Sequence, residues 1–389
     1  MRLFFATAIL CLCAPAIGQD TPLVPPDPGP ETMVQFRFMD KNGSERTIAG
    51  RVLIEAVDGG VLVEDRAGTY WNITPQQMKE QVDTDTVFTP LDKDERISQL
   101  KDEFGVAFEI RSTDSYLICS NAGPAYTEWC GDLLQRYQSA FIDYWEETGL
   151  KLAPLPQQLV VIILSNKTQF DDFYQRDVGQ KTQSSFGFYS IRKNRVVLYD
   201  FASPDGTSDD DRRQQTVRSI QKAVKKVPFN VATIIHEATH QLAFNTGIHT
   251  RYADNPVWLT EGIAMYFESA DSGTGTRKPR IGKSNPLRKK SLKPYLNNIS
   301  ADSIRTLIAS DDRFRSSEVA GNAYTEAWAF TTYLMKRKPD QLIQFIKSNQ
   351  KNARLIWKKP DERQASFEAA FGPPDDFEKL MLSYLKRLR

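Results

Sequence analysis

A zinc-binding pattern occupies the only part of the chain that contains histidine. The three histidines are His236, His240 and His249, and the first two enclose the segment His236-Glu237-Ala-Thr-His240. On a helix, residues four apart lie about 40° apart around the axis, so both imidazoles can reach one Zn²⁺ ion. Glu237 lies about 100° from His236, where it can act as a general base on water without being a ligand. This spacing is typical of hydrolytic zinc sites, although a chance occurrence is expected roughly once in 100 chains of this length.

A single helix must carry this pattern. Asn230 is predicted to be its N-cap and Gly247 the residue that follows its last turn, which gives about sixteen helical positions. The apolar stripe of this helix is typical of packing against a core, and it consists of Val231, Ile234, Ile235, Ala238 and Leu242.

A catalytic zinc site needs a third protein ligand and an open fourth position. The residues three and six positions after His240 are not Gly and His, which excludes the metzincin pattern. Glu261 follows His240 by 21 residues, and Pro256, two residues before Trp258, is consistent with a new helix that starts about there. Two antiparallel helices joined by the loop 249–255 would bring Glu261 across from both histidines, which completes a His₂Glu ligand set.

Two segments of the sequence resemble the gluzincin zinc peptidases. They are HEATH and, further along the chain, WLTEGIAMYFE, whose W-x-x-E-G-x-A-x-Y pattern is similar to that of the aminopeptidase-N branch. The stretch 228–268 more closely resembles a secreted bacterial domain family of unknown function with gluzincin features, and the likeness extends from about residue 105 to the C-terminus. The resemblance implies one Zn²⁺ per chain, with Glu237 as general base and with three ligands, His236, His240 and Glu261.

The resemblance also bears on residues around the metal. The predicted strand Phe186–Tyr189 resembles the edge strand along which gluzincin substrates lie in extended form. The thermolysin pattern has an Asp four residues after the ligand Glu, but Met265 stands here, so Glu268 becomes the candidate to contact a zinc histidine. The sequence has no Gly-x-Met-Glu-Asn exopeptidase motif, so aminopeptidase specificity is not implied.

Two further residues have alternative interpretations. Gluzincins often stabilise the oxyanion with a Tyr or His on a later helix, and the segment that begins at Tyr324 resembles the start of that helix. Tyr324 is therefore the candidate, but an aromatic residue on a helix that also carries Trp328 and Tyr333 is equally well explained as part of the core. His249 either contacts substrate or is an ordinary loop residue.

The N-terminal residues predict export. A cation, an apolar run and small residues form a signal peptide over 1–18, and a proline-rich linker follows over 19–32. The protein is expected to be secreted or to reside in the periplasm or cell envelope, with no transmembrane segment once the leader is removed. Cleavage leaves Cys119 and Cys130 as the only cysteines, and in an oxidising compartment a disulfide between them is expected.

The patterning divides the remaining chain into two parts. Residues 33–90 contain alternating apolar residues and hairpin turns, which predict a small β-barrel or β-sandwich module. Residues 92–389 begin with strands and helices, including the apolar run 159–164 that is typical of a buried central strand, and become mostly helical after about residue 228. The expected fold is α+β, in which a gluzincin-like domain with a mixed sheet, an HExxH helix and a helical C-terminal part follows the small all-β module.

The charge balance gives little guidance about partners. The 50 basic and 49 acidic residues leave a net charge of +1, so nothing global favours nucleic acid or an anionic membrane. Residues 277–293 nevertheless contain eight cations and no acid, which either form a solvated loop or attract an acidic or polyanionic partner. No aromatic residue is interleaved with these cations, so nucleic acid is not expected as the partner.

The sequence as a whole predicts an exported zinc-dependent hydrolase, namely a peptidase that cleaves amide bonds of polypeptides. Two alternatives remain open. One is a zinc-containing binding or envelope protein without turnover, and the other is a metallohydrolase of a non-protein amide such as cell-wall material.

Overall fold

The structure of the chain, a computed structural model, describes residues 23–24, 32–179, 186–268, 279, 281–282, 285–297, 299 and 302–387. The predicted signal peptide and most of the predicted linker lie outside the described residues. Among the helices that are described, none is long and apolar enough to cross a membrane.

One antiparallel sheet, called here the β-module, forms the N-terminal part of the protein, and the predicted all-β region is confirmed. Its strands are β1 (Leu23–Val24), β2 (Thr32–Met39), β3 (Glu45–Ala56), β4 (Val61–Asp65), β5 (Tyr70–Ile73) and β6 (Met78–Val87). The strand order is β5-β4-β3-β2-β6, and β1 pairs with β3. Phe36 and Phe38 alternate with exposed residues along β2, which turns one side of this strand towards a small core.

A second sheet of five strands begins the larger domain. Its strands and the helices between them are α1 (Lys93–Phe104), β7 (Glu109–Ser112), β8 (Tyr116–Ser120), α2 (Pro124–Glu147), β9 (Leu159–Leu164), α3 (Lys167–Val178), β10 (Gly187–Ser190) and β11 (Arg195–Tyr199). The order is β10-β11-β9-β8-β7, in which β8, β9 and β11 are parallel and the two outer strands are antiparallel to their neighbours. Every residue of β9 is buried, because cores lie on both faces of the sheet. The predicted central strand is thus confirmed, and β10 lies at the edge of the sheet formed by the described strands.

The predicted disulfide is wrong. Cys119 in β8 and Cys130 in α2 are free, buried thiols. Successive residues of a strand point to opposite faces, so Cys119 joins the core that contains α1 and α3, whereas Ile118 joins the core that contains Cys130. The sheet therefore separates the two sulfur atoms. Burial raises the pKa of both thiols to about 12.

The rest of the chain is helical, which confirms the α+β class. The helices are α4 (Asp209–Gln214), α5 (Val217–Val224), α6 (Pro228–Asn245), α7 (Val257–Phe267), α8 (Pro286–Asn297), α9 (Ser303–Ala309), α10 (Asp312–Arg315), α11 (Ala320–Arg337), α12 (Pro339–Asn349), α13 (Pro360–Phe371) and α14 (Pro374–Arg387). The predicted N-cap at Asn230 is wrong, because α6 already begins at Pro228, whose fixed φ suits the first helical position. Gly247 follows the helix with a φ of 84°, as predicted.

Candidate metal centre

The three predicted ligands meet in the structure and are called here the triad. His236 and His240 belong to α6, and Glu261 belongs to α7. The Nε2 atoms of the two histidines are 3.1 Å apart. Glu261 Oε2 lies 3.3 Å from His236 Nε2, and Glu261 Oε1 lies 3.0 Å from His240 Nε2. Only His240, whose side chain is 11% exposed, gives the triad contact with solvent.

The donor set of the triad fits a zinc ion. Ligand atoms that each lie about 2.0 Å from a tetrahedral ion are about 3.3 Å apart, close to the separations of 3.0–3.3 Å found here. Glu261 Oε2 is buried, and its contact of 3.3 Å with His236 Nε2 lacks the geometry of a hydrogen bond, so a cation held by the triad would be a suitable partner for it. Burial lowers the pKa of His236, but the carboxylates of Glu261 and Glu268 outweigh burial and raise this pKa to about 10. The cluster thus attracts a positive charge.

A glycine beside the third ligand explains how α7 fits into the core. A Cβ atom at Gly262 would lie 1.9 Å from Thr331 Oγ1 and 2.7 Å from the carbonyl oxygen of Ala327, both in α11. Because only glycine leaves room for this approach, α11 packs directly against the turn that carries Glu261. The buried Trp258, three residues before the ligand, adds a ring contact of 4.5 Å to Phe330 of α11.

Glu268 contacts the ring of His236, as predicted. Its Oε1 atom lies 2.9 Å from His236 Nδ1. In the neutral ring that a metal ligand requires, this hydrogen bond would keep the proton on Nδ1, so that the lone pair of Nε2 would face the triad. Glu268 also accepts hydrogen bonds from Arg288 Nε at 2.8 Å and from Asn285 Nδ2 at 3.3 Å. Burial raises the pKa of Glu268, but Arg288 and His236 outweigh burial and hold this pKa below its usual value, so Glu268 is a carboxylate.

Arg288 is the functional neighbour that sequence reasoning missed. It belongs to the basic stretch 277–293, which was expected to be a solvated loop or a polyanion site, yet Arg288 is only 5% exposed and is paired with Glu268. Four of the eight cations, Arg277, Lys278, Arg280 and Lys283, lie outside the described residues. No feature of the sequence distinguishes Arg288 from the other cations of this run, because its partner is 20 residues away.

The predicted general base faces the edge strand. Glu237 is buried, and its Oε2 atom accepts a hydrogen bond of 2.9 Å from the backbone N–H of Tyr189 in β10. Gly187 in the same strand lets β10 pack closely on β11, because a Cβ atom there would lie 2.5 Å from Leu198 Cδ2 and 3.1 Å from the carbonyl oxygen of Val197. Burial raises the pKa of Glu237 above its ordinary value, although His236 and His240 oppose the shift. The structure thus brings the sequence-predicted base and the edge strand together beside the triad.

Hydrogen bonds hold the hairpin of β10 and β11 on the end of α6. The hydroxyl of Tyr189 donates to Asn194 Oδ1 at 2.8 Å, and Asn194 Nδ2 donates to Asn245 Oδ1 at 2.8 Å. Asn194 has a φ of 52°, a conformation that Asn adopts more easily than most residues. These bonds fix how β10 lies relative to Glu237.

The last two candidates are both buried. Tyr324, in α11, is 4% exposed and lies edge-on to Phe314 with ring centroids 5.2 Å apart. This packing agrees with a core position, and the predicted role at the oxyanion stays a prediction. His249 is 2% exposed, and its ring lies 5.4 Å from that of Phe244. Burial, with a smaller contribution from His240, lowers the pKa of His249 to about 3, so this imidazole is neutral.

Comparison with known proteins gives a family match for one stretch of the chain but no activity. Residues 230–355 match the profile of a family described as "Protein of unknown function (DUF1570)". The matched stretch contains the triad, Glu237 and Arg288, and it begins well after the start of the likeness expected from the sequence. No curated protein matches the chain significantly. The expected resemblance to a family of unknown function is confirmed for this stretch, and the gluzincin relationship stays a prediction.

Proposed function

We propose that this protein is a zinc-dependent peptidase of the gluzincin type that acts outside the cytoplasm. The observation that supports the proposal best is the position of Glu237, which adjoins a triad suited to zinc and is bonded to the backbone of an edge strand. A bare strand edge can bind a polypeptide in extended form through main-chain hydrogen bonds. Zinc, when bound by the triad, would polarise the carbonyl group of the substrate and lower the pKa of water.

The remaining chemistry falls to side chains of this protein. Glu237 takes a proton from the attacking water and delivers it to the nitrogen of the leaving amine. A buried carboxyl with a raised pKa suits both steps, because it holds the proton more readily than an exposed glutamate does. Glu268 and Arg288 hold His236 in the tautomer that a metal ligand needs. Tyr324 is proposed to stabilise the negative charge that develops on the carbonyl oxygen.

The substitution Glu237→Gln tests the proposal. It keeps the size of the side chain and removes the base, so we expect zinc content near one ion per chain and loss of peptide cleavage by at least about 100-fold. Purified wild-type and variant protein would be compared by elemental analysis and by cleavage of a diverse peptide library, with and without chelator. Glu103→Gln is the matched control, since Glu103 is a partly exposed residue of α1 paired with Arg195.

The outcomes separate the proposal from its alternatives. A wild-type protein that carries zinc but cleaves no peptide would favour a binding protein without turnover. Chelator-sensitive cleavage restricted to amide-containing cell-wall fragments would favour a hydrolase of a non-protein substrate. For Tyr324, turnover of Tyr324→Phe within a few-fold of the wild type would remove this residue from the mechanism.

A further inference from the structure

The loop 248–256 between the two ligand-bearing helices is held by a buried arginine. Arg251 is 7% exposed, and its guanidinium donates from Nη1 to the carbonyl oxygen of Gly68 at 2.8 Å. Its Nη2 atom donates to Glu64 Oε1 at 3.1 Å. The guanidinium carbon lies 3.6 Å from the centroid of the Tyr70 ring, which adds a cation–π contact. All three of these partners belong to the β-module.

The same guanidinium also reaches the hairpin that contains the edge strand. Arg251 Nη1 donates to the carbonyl oxygen of Ile191 at 3.3 Å, just after β10 ends. The next carbonyl, that of Arg192, accepts a hydrogen bond of 2.9 Å from the backbone N–H of Tyr70. The β-module therefore contacts both the loop between α6 and α7 and the turn between β10 and β11.

The residue after Arg251 is held in an unusual backbone conformation. Tyr252 has a φ of 62°, and its carbonyl oxygen accepts a hydrogen bond of 2.6 Å from the backbone N–H of Leu355, whose φ is 64°. The ring of Tyr252 packs at 5.4 Å against that of Tyr70. Bulky residues with positive φ persist only where surrounding contacts hold them, and such residues cluster at functional sites.

We propose that Arg251 is a positioning residue for the metal centre and that the β-module is the support through which it acts. The loop that Arg251 anchors joins α6, which carries two ligands and the base, to α7, which carries the third ligand. The hairpin that it anchors places Tyr189 against Glu237. One guanidinium thus fixes the separation between the ligand helices and the edge strand. This inference depends on the metal site of the proposed function, but not on peptide cleavage.

The chain offers a matched control for this role. Arg66 also joins the β-module to the larger domain, through a two-point ion pair with Glu95 of α1 at 2.8 and 2.6 Å. Its described hydrogen bonds reach neither the loop 248–256 nor the hairpin turn: its side chain donates to Glu95 and Thr89, and its carbonyl oxygen accepts from the N–H of Leu91. Removal of Arg66 should therefore weaken the attachment of the β-module without disturbing the metal ligands.

The experiment compares full-length wild type, Arg251→Met, Arg251→Lys and Arg66→Met. Zinc affinity is measured by competition with a chelator, and the geometry of the site is followed by the absorption spectrum of the Co²⁺-substituted protein. We expect Arg251→Met to bind zinc about tenfold or more weakly and to change the Co²⁺ spectrum, by analogy with loss of other residues that orient metal ligands. Arg251→Lys, which retains the charge but not the three-way hydrogen bonding, should show an intermediate affinity. Arg66→Met should stay within about twofold of the wild type.

Equal zinc affinity and an unchanged Co²⁺ spectrum in Arg251→Met would overturn the proposal. A loss of the same size in Arg66→Met would also overturn it, because the effect would then reflect general loosening of the β-module. If Arg251→Met does not fold, Arg251→Lys decides by the same two readouts. A zinc-loaded wild type that hydrolyses nothing contradicts only the proposed function, whereas a wild type that binds no zinc contradicts both.

Discussion

The charged residues that hold the two ends of α7 form similar ion pairs, but the two groups differ in whether they contact a metal ligand. At the C-terminal end, Glu268 is paired with the buried Arg288 and contacts the ligand His236. At the N-terminal end, the backbone N–H of Val257 donates to Asp311 Oδ1 at 3.0 Å. Asp311 is paired in turn with the buried Arg363, 2.9 Å away.

Arg363, Asp311 and Asp254 are called here the Arg363 cluster. Asp254 accepts a hydrogen bond of 3.2 Å from Arg363 Nε. Both ends of the helix thus have a buried arginine bonded to carboxylates, with Glu261 between them. Only the C-terminal pair contacts a ligand. The pair of Glu268 and Arg288 therefore acts on a ligand directly, whereas the Arg363 cluster anchors the start of α7 and, through Asp254, the loop before it.

The strongest test of the comparison removes the ligand that lies between the two ends. We expect Glu261→Gln to weaken zinc binding by more than about 100-fold, because it replaces a charged ligand with a neutral one. Loss of a residue that only hydrogen-bonds to a ligand weakens metal binding by about 10- to 100-fold. Competition with a chelator measures the effect. Glu326→Gln is the control, because Glu326 is equally buried but is bonded to Ser303 and Arg313 instead of the triad. Zinc affinity of Glu261→Gln within tenfold of the wild type would remove Glu261 from the ligand set.

The second test compares the two arginines directly. Removal of one partner of a buried ion pair costs about 3–5 kcal/mol, so Arg288→Met and Arg363→Met should lower the free energy of unfolding of the metal-free protein by similar amounts. Zinc affinity should separate them: we expect a loss of about 10- to 100-fold for Arg288→Met and a smaller loss for Arg363→Met, because Arg363 anchors the loop before α7 but its described hydrogen bonds reach neither a partner of the ligands nor the hairpin of β10 and β11. Urea unfolding and chelator competition provide the two values. If both variants lost zinc affinity equally, the distinction between the two ends of α7 would be wrong.

The smallest effect concerns the dependence of stability on pH near the N-terminal end. His249 precedes α7, and burial lowers its pKa from 6.5 to about 3. The unfolded chain therefore binds a proton below pH 6.5 that the folded protein does not bind, so stability falls as the pH decreases through this range. The contribution amounts to about 2 kcal/mol between pH 7 and pH 5.

The measurement is urea unfolding of metal-free wild type and His249→Gln at pH 7 and pH 5. The difference between the two proteins isolates His249 from the triad histidines. We expect the variant to lose less stability on acidification than the wild type. An identical loss in both proteins would show that His249 is accessible to protons in the folded state.

The sequence was sufficient to predict that the triad and Glu237 lie together. Three of these four residues lie within about one and a half turns of the same helix. Glu268 was also predictable, since it follows Glu261 by seven residues and so lies on the same side of a helix. Arg288 was not predictable as its partner, because a run of cations does not indicate which one is buried. The partners of Arg251 could not be predicted either, since Glu64 is 187 positions away in the chain.

The error about the cysteines has a different cause. Spacing alone made a bond between Cys119 and Cys130 reasonable, but the face to which a strand residue points depends on the register of the sheet. The packing of β8 directs Ile118, not Cys119, towards α2. The position of Tyr324 illustrates a further limit, because burial in α11 is compatible with both a core role and a catalytic role.

The zinc site is tested most directly by a crystal structure of the mature protein with diffraction data collected on both sides of the zinc absorption edge. We expect one anomalous peak of near-full occupancy, about 2.0–2.2 Å from His236 Nε2, His240 Nε2 and a carboxylate oxygen of Glu261. Glu237 should lie beside the ion without bonding to it. Zinc-soaked crystals with no peak at the triad, or with the ion bound by other residues, would contradict the proposal that the triad binds zinc.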